Sequence, residues 1–283
     1  MLSKNDVYGV VVTYHPNESL RRNVLVLLSQ VAGVVIVDNG SHRDAKVYVA
    51  EMGNVDGVEI VENSVNMGIA YALNQGLARA SASGYKLCLT MDQDSTLNGD
   101  CVSKMIDALN NNAKLVSVGP TYNGGNMRDV QPYTEKSYLI TSGNLTYTDI
   151  AISVGGYNNA LFIDAVDFDF ALSLRSQGHK LAMVNGAKME HRLGSLAEAS
   201  ILTLPIRIRT HVPVRHYYMF RNHCYLTRKY IWRFPGFLAK KQVALCKHLF
   251  ECLLLHPNKL ENFALIIKGI RHGFQSKYGK YAE

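Results

Sequence analysis

What most restricts the fold of this chain is an alternation of two periods through its first 120 residues. Short β-branched apolar runs, "VYGVVVTY" (7–14), "GVVIVD" (33–38), "GVEIVEN" (57–63), "YKLCLTMD" (85–92) and "KLVSVG" (114–119), read as strands. Between them lie stretches with helical spacing: "NESLRRNVLVLLSQ" (17–30), "SHRDAKVYVAEMG" (41–53), "NMGIAYALNQGLARASASG" (66–84) and a segment near 99–110. Asn17 is a suitable N-cap, and Gly53 and Gly84 are suitable stops. Repeated strand–helix–strand units of this length predict an α/β fold, with a mostly parallel sheet covered by helices on both faces. Ligands of such sheets bind beyond the carboxyl ends of the strands.

Polar residues collect at those ends. The first strand runs out in Thr13 and Tyr14, the second in "VDNGS" (37–41) with Asp38, Asn39 and Ser41, the third near Asn63 and Asn66, and the fourth in "DQDS" (92–95). Asp92 and Asp94 are one residue apart at the end of an apolar run, where two like charges cost several kcal/mol unless something neutralises them. No GxGxxG follows the first strand and no GxxxxGK[ST] occurs, so the usual glycine-rich phosphate cradles are missing. That disfavours a dinucleotide-dependent oxidoreductase and leaves a divalent cation as the expected neutraliser. Asp-x-Asp suits Mg²⁺ or Mn²⁺, which take one or two carboxylates and leave the other positions to phosphate oxygens and water. An EF-hand is excluded, because its sixth and twelfth positions here are Leu97 and Ser103.

Apolar residues make up 47% of the chain and charged residues 19%, which excludes a disordered protein. Five cysteines, with no CxxC pair and no histidine at zinc-site spacing, favour buried thiols in a reducing cytoplasm. The N-terminus lacks the layout of a signal peptide, and no run approaches the roughly 18 apolar residues of a membrane span. Charge divides the chain unevenly. Residues 1–204 carry 15 Lys/Arg against 20 Asp/Glu, a net −5, whereas 205–283 carry 15 against 3, a net +12. The expected organisation is therefore a ligand-binding domain at 1–204 and a basic helical region at 205–283 that faces an anionic partner such as a membrane surface. Nucleic acid is not expected, since the larger part is acidic and no reading motif is present. Within the basic region "FPGFLAKKQVALCKHLFECLLLHP" (234–257) reads as a helix, either packed or lying on anionic lipid.

The ordered set "VVVTYHP", "VIVDNGS", "ENSVNMGIAYALNQG", "TMDQDS" and "FIDAVDFDFALSLRSQGHKL" resembles the inverting glycosyltransferases of family 2, which have a GT-A fold, over about residues 7–195. The segment "VRHYYMFRNHCYLTRKY" (214–230) is similar to a bacterial subgroup that uses dTDP-L-rhamnose in O-antigen or capsule assembly. The resemblance implies that Thr13, Tyr14, Asn39 and Ser41 line a nucleotide pocket and that Asp38 accepts from the N3–H of the base. It puts Asn66 and Gly68 in a turn beside ribose or diphosphate. It makes Asp94 and Asp92 ligands of a diphosphate-bound Mg²⁺ or Mn²⁺, with His191 completing the shell. Asp167 falls on the general base, although Val166 stands where the family has Glu. Asp164 and Asp169 compete for that role; on a helix Asp169 would point about 200° away from Asp167. Arg175 is expected to pair with a nearby acid and Arg221 to bind the diphosphate. The implied acceptor is a polyprenyl-diphosphate-linked saccharide, which places the protein peripherally on the cytoplasmic membrane face. Nothing in the pocket residues separates a dTDP-sugar from a UDP-hexose donor, and a non-catalytic sugar-nucleotide binder stays open.

Overall fold

The computed structural model describes residues 1–122, 131–191, 196–201, 204–209, 212–255 and 258–282. The chain divides into two compact units, Met1–Asn159 with Val166–Arg192, and Ala160–Ala165 with Leu193–Glu283.

The first unit begins with four parallel strands, β1 (Val7–Thr13), β2 (Gly33–Asp38), β3 (Val58–Glu62) and β4 (Leu87–Asp92), in the spatial order β3-β2-β1-β4. The crossovers are α1 (Ser19–Leu28), α2 (Arg43–Ala50) and α3 (Ile69–Ala82). Every residue of β1 and β2 is buried, which explains why these strands are continuous apolar runs rather than alternating ones. The N-cap position of α1 is Glu18, which makes no side-chain cap; Asn17, the expected cap, lies one residue earlier, where its side-chain oxygen accepts from Ser19 N–H at 3.0 Å. Gly76 lets α3 lie directly on β1, because a Cβ there would overlap Val10.

Beyond β4 the sheet changes character. The remaining elements of this unit are β5 (Thr96–Leu97), α4 (Cys101–Asn111), β6 (Leu115–Tyr122), β7 (Tyr133–Lys136), β8 (Asn144–Tyr147), α5 (Thr148–Ser153), α6 (Val166–Ser176) and β9 (Lys180–Glu190). Strand β8 is antiparallel to both β4 and β6. Strand β9 runs parallel to β6, and β5 and β7 pair antiparallel with β9. The result is one nine-stranded sheet, β3-β2-β1-β4-β8-β6-β9-β5 with β7 on β9. Its main core joins Leu20, Ile36, Leu89, Met105, Leu145 and Ala182 from both halves.

The second unit holds an antiparallel ribbon, β10 (Leu196–Ile201) with β11 (Leu204–Arg209), and the helices α7 (Pro213–Tyr230), α8 (Pro235–Leu255) and α9 (Lys259–Phe274). Gly269 and Gly273 bring α9 against the backbone of α7, where a Cβ would collide with Tyr217 and Cys224. A small core of Phe220, Leu245, Cys252 and Ile266 joins the three helices. Residues 160–165, distant in sequence, belong to this unit. Among the described residues, no helix is long and apolar enough to cross a membrane.

Candidate active site

Strand register sets the frame. Thr13 stands opposite Asp38, Asp38 opposite Glu62, and Val12 opposite Asp92, so the carboxyl ends of the four parallel strands form one edge. A buried polar network fills its β1–β2 corner. The Asp38 carboxylate is fully buried and accepts from the Thr13 hydroxyl at 2.9 Å, the Ser41 hydroxyl at 2.5 Å and the Ser41 N–H at 3.0 Å. The Asn39 amide donates to Asn66 Oδ1 at 3.1 Å, and its Oδ1 accepts from Met67 N–H at 3.0 Å. Asn66 Oδ1 also accepts from Gly68 N–H at 2.9 Å, at the start of α3. Gly68 has φ +90°, a left-handed conformation that glycine takes without a Cβ clash. Thus Thr13, Asp38, Asn39, Ser41, Asn66 and Gly68 come together, as expected, but mostly as a buried brace. The exposed groups at this corner are Tyr14 and the stacked His15 and His42 rings, whose centroids are 4.2 Å apart. The sequence reading assigned neither histidine a role: His15 lies inside the "VVVTYHP" motif and His42 directly follows "VIVDNGS", but only the fold stacks their rings.

At β4 the expected triad assembles. The ligand atoms of Asp92, Asp94 and His191 all lie within 4.8 Å of one another. His191 follows β9, in the antiparallel half, and a relay of hydroxyls ties it to β4. Its Nδ1 is 2.7 Å from Ser95 Oγ, Ser142 Oγ donates to Ser95 Oγ at 2.8 Å, and Asp92 N–H donates to Ser142 Oγ at 3.1 Å. Burial pushes the Asp92 carboxyl up to about 6; His191 opposes that shift and Asp94 adds to it. Two carboxylates and an imidazole at this spacing form a donor set that fits Mg²⁺ or Mn²⁺. Ser95 closes the "DQDS" stretch but was given no role in the sequence reading, and Ser142 carried no signal there.

A cleft of about 460 Å³ opens beside this cluster, a size suited to a small ligand. Its walls include Ser142, Tyr122, Lys136 and Tyr138. Tyr122 meets the His191 ring edge-on, and burial together with the Asp167 charge raises the Tyr138 phenol. The cleft therefore touches neighbours of the acid pair on one side and of Asp167 on the other. Asp167 is half-buried in the first turn of α6, and its Oδ1 accepts from Phe168 N–H at 2.9 Å. Asp169 is buried at 2% exposure, as expected for the opposite side of the helix. Arg175 donates to the Ser137 carbonyl at 3.3 Å.

In the second unit two expectations change. Asp164 is engaged by Arg215, which donates Nη2–H and Nε–H to its two oxygens at 2.6 and 3.2 Å. Arg221, expected on a diphosphate, is fully buried instead. Its Nη1 donates to the Gly279 carbonyl at 2.6 Å, its Nη2 to Leu161 at 2.8 Å and Ala160 at 3.2 Å, and its Nε to Asn222 Oδ1 at 2.9 Å. Its guanidinium lies 4.8 Å from the centre of the Tyr218 ring. With its donors turned inward, Arg221 is a fold-holding residue in this arrangement. The fold also brings together three side chains that the search for zinc-site spacing did not single out: His248 and Cys252 lie four apart on α8, and His216 of α7 joins them.

Solved glycosyltransferases share this architecture, and the fold is theirs. The mannosyltransferase PcManGT from Pyrobaculum calidifontis, in complex with GDP-Man and Mn²⁺, superposes with a TM-score of 0.61 at 13% identity, covering 96% of this chain and 74% of that one. GalNAc-T7 with UDP, GalNAc and Mn²⁺ gives 0.58 at 14% identity, covering 65% of this chain; the match spans 43% of that protein. In sequence, the chain is 29% identical over 282 residues to the dTDP-rhamnosyl transferase RfbF of Shigella flexneri, covering 91% of each. The family described as Glycosyl transferase family 2 matches residues 10–167, and the chain belongs to that family of glycosyltransferases.

Proposed function

We propose that this protein transfers L-rhamnose from dTDP-L-rhamnose, with inversion, to a hydroxyl of a polyprenyl-diphosphate-linked saccharide at the cytoplasmic face of a membrane. The observation that carries the chemistry is the Asp92–Asp94–His191 cluster at the ligand edge of the sheet. The rhamnose donor is supported by the similarity to a dTDP-rhamnosyl transferase along most of both chains. Asp94, Asp92 and His191 would hold Mg²⁺ or Mn²⁺, which when bound offsets charge on a departing diphosphate. The base and ribose lie over the Thr13–Asp38–Asn39–Ser41 corner, with Tyr14, Asn66 and Gly68 at its rim.

Asp167 takes the proton of the acceptor hydroxyl as that oxygen bonds to the anomeric carbon. The bond from that carbon to the diphosphate breaks, and its electron pair leaves with the diphosphate. Attack opposite the leaving group converts a β-linked donor into an α-rhamnoside. The net +12 of residues 205–283 and the exposed Phe250, Leu254, Leu260, Phe263 and Ile267 on α8 and α9 support contact with anionic lipid.

Thermal unfolding with dTDP, UDP or NAD, each with and without Mn²⁺, tests the donor site. The reading requires a Mn²⁺-dependent rise in Tm with dTDP that is absent in Asp94→Ala and absent with NAD. A larger rise with UDP would point to a UDP-hexose donor instead, and a rise without turnover of any sugar nucleotide would indicate a non-catalytic binder. Flotation with anionic liposomes at low salt tests the membrane contact; failure to float there refutes it.

A further inference from the structure

In the second unit, three metal-ligating side chains that the proposed reaction does not use converge on one point. His248 and Cys252 are four residues apart on α8 and so share a face, and His216 meets them from α7. His216 Nδ1 is 2.9 Å from His248 Nε2, while Cys252 Sγ is 3.7 Å from His216 Nδ1 and 3.6 Å from His248 Nε2. A tetrahedral ion with bonds of about 2.0–2.1 Å to nitrogen and about 2.3 Å to sulfur sets N···S near 3.6 Å and N···N near 3.4 Å. Both sulfur distances therefore already fit, and the nitrogens need to part by about half an ångström. His216 and Cys252 are almost wholly buried, at 0% and 1% exposure. The His248 ring turns its other nitrogen, Nδ1, toward a Glu251 oxygen 3.9 Å away, longer than a hydrogen bond but within ion-pair reach, so that a small shift on metal binding would let the carboxylate orient the ring.

We infer that His216 Nδ1, His248 Nε2 and Cys252 Sγ form a site for a borderline-soft ion, Zn²⁺ foremost, that staples α7 to α8. Two imidazoles and a thiolate discriminate against Mg²⁺ and Mn²⁺, the ions suited to the carboxylate cluster. Binding expels the thiol proton to solvent, and a water takes the fourth position. A staple here has a physical use, because among the described residues the cluster joining α7, α8 and α9 is small, with Phe220, Leu245, Cys252 and Ile266 buried and Met219, Leu249 and Ile270 packed on it. The same atoms without metal are a hydrogen-bonded histidine pair beside a bystander thiol, and the two readings differ in what sulfur does.

Titrating the purified, metal-stripped full chain with Co²⁺ separates them. The expected spectrum has a thiolate-to-cobalt charge-transfer band in the near ultraviolet, which Zn²⁺ displaces and Mg²⁺ does not. Asp94→Asn and Cys246→Ser keep this band, and Cys252→Ser loses it. Glu251→Gln, at a partly exposed position, binds Co²⁺ about 10–100-fold more weakly. Should Cys252→Ser fail to fold, the wild-type band and the Glu251→Gln affinity still decide. A wild-type chain without the band, a band that survives in Cys252→Ser, or unchanged affinity in Glu251→Gln would each overturn the site.

Discussion

The two clusters of potential metal ligands differ in the way that separates a working site from a structural one. In the sheet unit Asp92, Asp94 and His191 are oxygen-rich and partly open, and they sit where parallel strands end. In the helical unit His216, His248 and Cys252 offer nitrogen and sulfur in a largely closed setting. On the two proposals made above, the first would exchange ions and substrates and the second would keep its ion. Asp167 and Arg221 repeat the contrast among charged residues. Asp167 is half-buried near a cleft, and Arg221 is enclosed by carbonyls.

Substitutions should therefore divide cleanly between the units. The largest expected effect is from Asp167→Asn, which lowers kcat for rhamnosyl transfer about 10²–10⁴-fold and leaves the urea midpoint close to wild type. A kcat near wild type would remove Asp167 from the chemistry. Arg221→Ala should do the reverse, costing roughly 3–5 kcal/mol of stability in urea unfolding as buried carbonyls lose their donor. If its main effect is instead on KM for the sugar nucleotide at unchanged stability, Arg221 belongs with the donor site after all.

A smaller effect tests Asp92. Its carboxyl is raised in the folded state from 3.8 to about 6, so its contribution to stability is complete below 3.8 and is lost as pH rises through about 6. Mn²⁺-dependent dTDP binding needs the carboxylate and should run the other way, weakening as pH falls below about 6. Opposed pH profiles for metal-free stability and for binding are expected, and parallel ones would detach Asp92 from the cation. Smallest and purely structural is Gly76→Ala in α3, which should cost about 1–3 kcal/mol by overpacking against Val10, with kcat near wild type. An unchanged Tm would show that α3 can shift off β1 freely.

The parallel half of the sheet was legible in the sequence because β1 and β2 are continuous apolar runs, β3 ("VEIVE") keeps its β-branched residues, and a helix precedes each next strand. The rim at its carboxyl ends followed from that order alone. The antiparallel half was not legible. Strands β7 ("YTEK") and β8 ("NLTY") are four residues long, and their pairing is decided by distant partners. The burial of Arg221 was not legible, because spacing shows where a charge lies along a helix but not which carbonyls will surround it. His248 and Cys252 have a four-residue spacing that places them on one helix face without forming a CxxC pattern. Their third partner, His216, lies 32 residues earlier and is recognisable only once α7 and α8 have packed.

The short visit of residues 160–165 to the helical unit has a consequence for anyone cutting this gene. Phe162, Asp164 and Ala165 all have positive φ, between 62° and 64°, a conformation that non-glycine residues hold only under constraint. The constraint comes from α7: Asn222 donates to the carbonyls of Leu161, Ile163 and Asp164, Arg221 to those of Ala160 and Leu161, and Tyr218 stacks on Phe162. A fragment ending near residue 204 would include this hexapeptide without the helix that holds it, and Val166 and Asp167 follow directly in the chain. Each unit packs around its own residues, yet no single cut in the gene would separate them, because 160–165 lie between two segments of the first unit.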